Sequence, residues 1–139
     1  MQKIAAEFVA QLQPDSRAAT VVTLQGDLGA GKTTFAQGVA HALGVEETVT
    51  SPTFVIEKIY QLENQRWQHL VHVDAYRLKS EHELEVLGWS ELLAERGNLV
   101  VLEWPERVAE ALPDTAIRIT LTGSGDTREI SYGEKEGGK

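Results

Sequence analysis

The chain has 139 residues, 42% hydrophobic and 24% charged, with a formal net charge of −8 and no cysteine. That is enough chain for one globular domain with a real core. It leaves no disulfide framework, no thiolate metal site and no apolar run of about 18 residues to span a membrane. So acidic a chain is poorly suited to capturing nucleic acid unaided, because that binding rests largely on neutralising phosphates.

Ile4, Phe8 and Leu12 recur at helical spacing, which predicts an amphipathic helix over 2–13, stopped near Pro14-Asp15. Glu7 stands where a signal peptide would need its apolar core, and with the lack of cysteine this gives a cytoplasmic expectation. Thr20-Val21-Val22-Thr23-Leu24 has the β-branched character of a strand over 20–25. It runs into Gly26-Asp27-Leu28-Gly29-Ala30-Gly31-Lys32-Thr33, which fits the phosphate-binding pattern G-x-x-x-x-G-K-S/T without a mismatch. A polyphosphate needs many donors at close range, and a tightly curled backbone supplies them as successive N–H groups. Gly29 and Gly31 permit that curl. Lys32 brings a point charge to the outer phosphates. Thr33 offers a hydroxyl to magnesium and opens a helix whose N-terminal dipole favours the anion. Phe35, Val39, Ala42 and Leu43 then predict a helix over 33–43, ended by Gly44.

Thr50-Ser51-Pro52-Thr53-Phe54 closes a polar connector and reads either as a nucleotide-sensing loop or as a turn before a strand. Residues 54–62 and 67–78 read as strands separated by Glu63-Asn64-Gln65-Arg66, hence an antiparallel hairpin. On the second strand, alternation puts His72, Asp74 and Tyr76 on one face, either a polar site or a solvated outer face.

Ser80 and Glu83 form a capping-box pattern that opens a short helix ending near Gly88. A second short helix covers 89–96, closed by Gly97-Asn98. Leu99-Val100-Val101-Leu102-Glu103 is an apolar run ending in an acid, the form of a buried strand whose terminal carboxylate reaches a metal ion or the attacking water. Glu in place of the commoner Asp could bind metal through water or act as general base. Pro105 suits the first turn of a helix with Val108, Ala109 and Leu112 on its apolar side. Strands are expected at 115–122 and 127–132, joined by Gly123-Ser124-Gly125-Asp126. A single domain spans 1–133, and a charged, Gly-rich tail occupies 134–139.

A strand–loop–helix unit of this kind calls for parallel pairing, so the expected architecture is a three-layer α/β domain. Its sheet is mainly parallel, made mixed by the hairpin at about 54–78, with the site at the C-terminal ends of the parallel strands. The motifs Gly26–Thr33 with Thr34, Ser51-Pro52-Thr53-Phe54, His72-x-Asp74-x-Tyr76-Arg77 and Leu102-Glu103-Trp104-Pro105-Glu106 together resemble the bacterial TsaE (YjeE) family. The resemblance covers roughly 20–112 in the family's order and spacing.

The resemblance implies a small P-loop ATPase serving the N6-threonylcarbamoyladenosine modification of tRNA next to the anticodon. By it, Lys32 and Thr33 hold ATP phosphates and Mg2+, and Asp74 and Glu103 are active-site acids. The loop residues with Thr34 and Trp104 line the nucleotide, and Thr50, Ser51 and Thr53 belong to a switch-like segment. It also implies partners: a TsaB–TsaD pair in which TsaD carries the transfer chemistry, with tRNA reached only within the complex. Two other functions fit a P-loop of this size. A small-molecule kinase would need an acceptor pocket and an Arg-rich lid, for which the chain has little room. A nucleotide-sensing module would bind without hydrolysing. No Asn-Lys-x-Asp guanine motif is present.

Overall fold

The structure is a computed structural model that describes residues 2–14, 17–26, 31–45, 57–76, 78–124 and 127–134. At 2, 122–124 and 127–134 it describes the backbone alone. The described strands are β1 (Thr20–Gln25), β2 (Glu57–Gln61), β3 (His69–Asp74), β4 (Asn98–Glu103), β5 (Ile117–Ser124) and β6 (Thr127–Glu134). They form one six-stranded sheet in the order β2-β3-β4-β1-β5-β6. The inner pairs β3–β4, β4–β1 and β1–β5 are parallel, and β2–β3 and β5–β6 at the edges are antiparallel.

Strands buried on both faces need near-continuous apolar sequence, and β4 has it: all six of its residues are buried. Helices cover each face. Helices α1 (Gln2–Gln11) and α2 (Lys32–Ala42) pack on one side, where Phe8, Phe35 and Val39 meet Val22, Leu70 and Val101. Helices α3 (Glu81–Val86) and α4 (Trp89–Ala94) cover the other, joined by a 3-10 helix over Pro105–Ala111. Leu84, Trp89 and Val108 there meet Val71, Val100 and Leu102. These are the expected three layers, mainly parallel sheet and hairpin.

The differences have local causes. In α1 and just past its end the buried stripe is Ala5, Phe8, Val9 and Leu12, and Ile4 is 44% exposed. The stripe follows i, i+3, i+4, i+7 rather than the i, i+4, i+8 row, which drifts around a helix of 3.6 residues per turn. The second hairpin strand starts at His69 because Trp67 turns into the core and donates its indole N–H to Thr20 Oγ1 at 3.2 Å. Residues 54–56 lie outside the described residues. Ser80 is the N-cap of α3 as expected, but Glu83 accepts from the Lys79 N–H (2.6 Å) rather than from Ser80. The helix expected after Pro105 is a 3-10 helix broken at Val108 (φ −137°, ψ 36°), whose side chain is fully buried. In β6 the ladder continues to Gly133 and Glu134, paired with Arg118 and Ile117. The strand therefore takes in the first residue assigned to the tail, and the rest of the tail lies outside the described residues.

A helix leaves its last carbonyls without intrahelical partners. At the end of α1, Arg66 from the β2–β3 connection donates from its guanidinium to Val9 O (2.6 Å), which also accepts the Leu12 N–H, and to Leu12 O just past the helix. Arg66 also lies 5.0 Å from the Trp67 ring centroid. The contact ties the hairpin to the N-terminal helix. Arg66→Ala should lose about 1–2 kcal/mol of stability in urea unfolding with an unchanged slope. A loss under about 0.3 kcal/mol would mean that water replaces the guanidinium at no cost.

Glu57, on edge strand β2, has a buried carboxylate oxygen, Oε2, without a hydrogen-bond partner. Burial raises its carboxyl above the usual glutamate range. The folded chain then holds a proton that the unfolded chain releases, so stability falls as pH rises through that window. Glu57→Gln should raise Tm at neutral pH, with the gain vanishing below the ordinary glutamate range. An equal gain at all pH values would assign the effect to packing.

Candidate functional site

The parallel ladders bring three strand ends to one level. Asp74 on β3 is in register with Glu103 on β4, and Glu103 with Leu24 on β1. The chain leaves β1 through Gly26 (φ 156°) and re-enters at Gly31 (φ 102°), the left-handed N-cap of α2. An L side chain resists φ values of that kind, so glycine suits both places. Asp27, Leu28, Gly29 and Ala30, expected to line a phosphate, lie outside the described residues, as do Thr50, Ser51, Thr53 and Arg77. The helix starts one residue earlier than expected, at Lys32, which places Thr33 and Thr34, both half-buried, in its first turn.

Lys32 is 5% exposed. Its ammonium donates to Gly26 O, so the start of α2 reaches back to the end of β1. The same nitrogen stands 4.0 Å from the centroid of the Trp104 ring, within reach of the ring quadrupole. Trp104 follows Glu103 with φ 61° and ψ 52°, a left-handed conformation that is a genuine outlier for a bulky residue. Its N–H donates to Leu24 O at 3.3 Å, which extends the β4–β1 ladder by one step while the chain turns away. That turn sends the ring towards Lys32 on one side and Tyr76 on the other, with Trp104 and Tyr76 centroids 4.8 Å apart. Arg107 stands 5.3 Å from the Tyr76 ring. Cation, ring, ring and cation thus line this end of the sheet.

Asp74 is half-buried, and its Oδ1 accepts the N–H of Tyr76 at 2.9 Å. This local turn lifts Tyr76 off the strand and leaves it 43% exposed. The reading of His72, Asp74 and Tyr76 as a solvated face is overturned at His72, which is 2% exposed. It lies on an inner strand, with β2 on one side and β4 on the other. Its Nε2 meets Oε2 of Glu103, also 2% exposed, at 2.6 Å. Glu103 therefore enters the site already held.

The structure brings together Gly26, Gly31, Lys32, Asp74, Glu103 and Trp104, with Thr33 and Thr34 on the adjoining helical turn. Sequence reasoning placed His72 and Tyr76 with Asp74 on a strand face that could be a polar site but gave neither a role, and it did not raise Arg107. The signal for His72 is that it precedes Asp74 by the same two positions by which Val101 precedes Glu103. It becomes visible only once β3 and β4 are known to be parallel and in that register. A helix start, a buried ammonium, two hydroxyls and two carboxylates on adjacent strand ends are chemically suited to a polyphosphate with a divalent cation. Among the described residues no three His, Asp or Glu side chains gather into a metal cage. Magnesium does not need one, because it keeps waters and takes one or two protein ligands beside the phosphates.

The family model described as "Threonylcarbamoyl adenosine biosynthesis protein TsaE" matches residues 1–130 of this chain. The tRNA threonylcarbamoyladenosine biosynthesis protein TsaE of Bacillus subtilis (strain 168) is 43% identical over 113 residues, covering 81% of this chain and 68% of that one. The protein of the same name from Rickettsia typhi is 35% identical over 130 residues, covering 93% and 84%. The crystal structure of Bacillus subtilis YdiB is similar with a TM-score of 0.73 at 33% identity, covering 98% of this chain and 79% of that one. Among the described residues no helix is long and apolar enough to cross a membrane.

The left-handed turn at Trp104 makes a prediction that reverses the usual order of small residues. Trp104→Gly should be more stable than Trp104→Ala by about 0.5–1 kcal/mol in chemical unfolding, since only glycine takes φ 61° without a steric penalty. Alanine equal to or above glycine would show that the turn relaxes once the ring is gone.

Proposed function

The chain belongs to the TsaE family of tRNA threonylcarbamoyladenosine biosynthesis, and from there we propose that it binds ATP with Mg2+ and hydrolyses it slowly. This activity supports N6-threonylcarbamoyladenosine formation next to the anticodon through nucleotide-dependent binding to a TsaB–TsaD complex in the cytoplasm. The observation that carries the reading is the alignment of Asp74 and Glu103 at adjacent strand ends, facing the strand–loop–helix unit that starts α2 at Lys32.

Each residue then has a task its chemistry suits. Backbone N–H groups at Gly26–Gly31 would bind the phosphates, and Lys32 would meet the outer ones with a buried charge. Thr33 gives its hydroxyl to the metal, and Thr34 lines the same turn. Asp74 and Glu103 divide metal holding and orientation of the attacking water between them. Trp104 flanks the nucleotide. Bound magnesium would neutralise charge on the transferred phosphoryl group. Phosphoryl transfer accelerates fully only when every stabilising charge is in place. Among the described residues Lys32 is the buried cation at this end, so the isolated chain should be slow and a protein partner should complete the site. The net charge of −8 favours that route over direct capture of tRNA.

Phosphate release from Mg–ATP tests the proposal, measured alone and with TsaB–TsaD. Slow release that rises with the partners is expected. Lys32→Ala should lose nucleotide binding and at least about 100-fold of turnover. Glu103→Ala should bind ATP almost as well as the parent chain while turnover drops by about 100-fold. Transfer of phosphate to a metabolite would replace this reading with a kinase. No turnover at all, with nucleotide-dependent partner binding intact, would replace it with a sensing module.

A further inference from the structure

We propose that His72 is a positioning residue for Glu103, fixing which carboxylate oxygen the acid presents to the nucleotide end; the proposal rests on the ATPase reading above. His72 is in register with Val101 and Asp74 with Glu103 on the parallel pair β3–β4, so the histidine sits one pleat behind the acid, on the same face of the sheet. From there its Nε2 reaches Glu103 Oε2 at 2.6 Å, with both side chains almost completely buried.

An ionised carboxylate only accepts, so Nε2 carries the hydrogen and donates. Nδ1, the other ring nitrogen, is buried with no hydrogen-bond partner. In the tautomer with hydrogen on Nε2 it is a lone pair, and no buried N–H is left without an acceptor. The ring therefore supplies direction to Glu103 through a single bond. The contact turns Oε2 towards the ring, so Oε1 is the oxygen Glu103 can turn to a metal-bound or attacking water, and its rotamer is set before nucleotide arrives. Pre-set geometry of this kind is what active-site acids need.

A purely structural account explains the pair less well. Its neighbours on this face, Leu70, Leu99 and Val101, are apolar and buried. A buried polar pair among such residues is typically no more stable than an apolar pair of similar volume.

The test compares His72→Leu, His72→Gln and His72→Asn in the full chain. Glutamine carries its amide nitrogen about as far out as Nε2 and can still donate to Glu103. Asparagine reaches only the position of Nδ1, and leucine fills the space without a donor. His72→Leu and His72→Asn should each lower kcat by about 10–100-fold with KM for ATP changed less than about threefold. His72→Gln should recover to within about fivefold of the parent chain. If the leucine variant fails to fold, the glutamine–asparagine pair carries the same comparison. A separate readout needs no nucleotide: the ring 15N shifts of His72 should report hydrogen on Nε2, and Glu103→Gln should move them.

Leucine equal to the parent in an active chain, glutamine no better than asparagine, or hydrogen found on Nδ1 would each overturn the positioning role and leave the ATPase reading standing. A parent chain with no ATP turnover would overturn that reading and the proposal with it.

Discussion

The ladder β3–β4–β1 is the constraint from which the site follows. Parallel strands at the centre of a sheet are covered on both faces, so every residue along them must tolerate burial. Val100, Val101 and Leu102 are each at most 1% exposed, and burying side chains of that size contributes about 1.5–3 kcal/mol each. A carboxylate meant for a ligand can be reached only where a strand leaves that slab, and the polar side chains within it, such as His72 and Thr20, are hydrogen-bonded to protein. Asp74 and Glu103 occupy that place on neighbouring strands, and the even spacing of parallel hydrogen bonds sets them in register. The same ladder places the end of β1, and so the start of the glycine-rich loop, beside them.

Around this end the structure relies on groups that restrain one another. Lys32 is drawn back to Gly26 O and to the Trp104 ring, Trp104 leans on Tyr76, and Glu103 is tethered by His72. The left-handed backbone at Trp104 is locally unfavourable, and it persists where its N–H continues the ladder to Leu24 O and its ring is held between two neighbours.

The fold was largely legible because its signals are local. The β-branched run at 20–25, the loop pattern, the hairpin spacing and the apolar run into Glu103 each fix an element without knowledge of its neighbours. The loop pattern pointed to Lys32, the apolar run to Glu103, and the family resemblance to Asp74 and Trp104; the structure brings the four together. What the sequence could not display is what depends on pairing. The burial of His72 follows from β3 being an inner strand, and its contact with Glu103, 31 positions away, from the register of β3 on β4. The 3-10 form after Pro105 has the same kind of origin, since Val108 is buried among α3 and sheet residues that lie far away in sequence. Ile4 misled because a helical row of three apolar residues does not say which neighbouring row carries the real contact.

The strand order also bears on how the chain assembles as it is synthesised. Of the described strands β1 comes first in sequence, yet its two neighbours are β4 and β5, so Thr20 waits for Leu99 and Val22 for Ile117. The hairpin β2–β3 can close locally, and so can β5–β6, but the strand that carries the glycine-rich loop has no sheet partner until β4 has been translated. Its backbone edges stay unpaired through that interval, which makes β1 the inner strand that waits longest between its own synthesis and its first sheet partner.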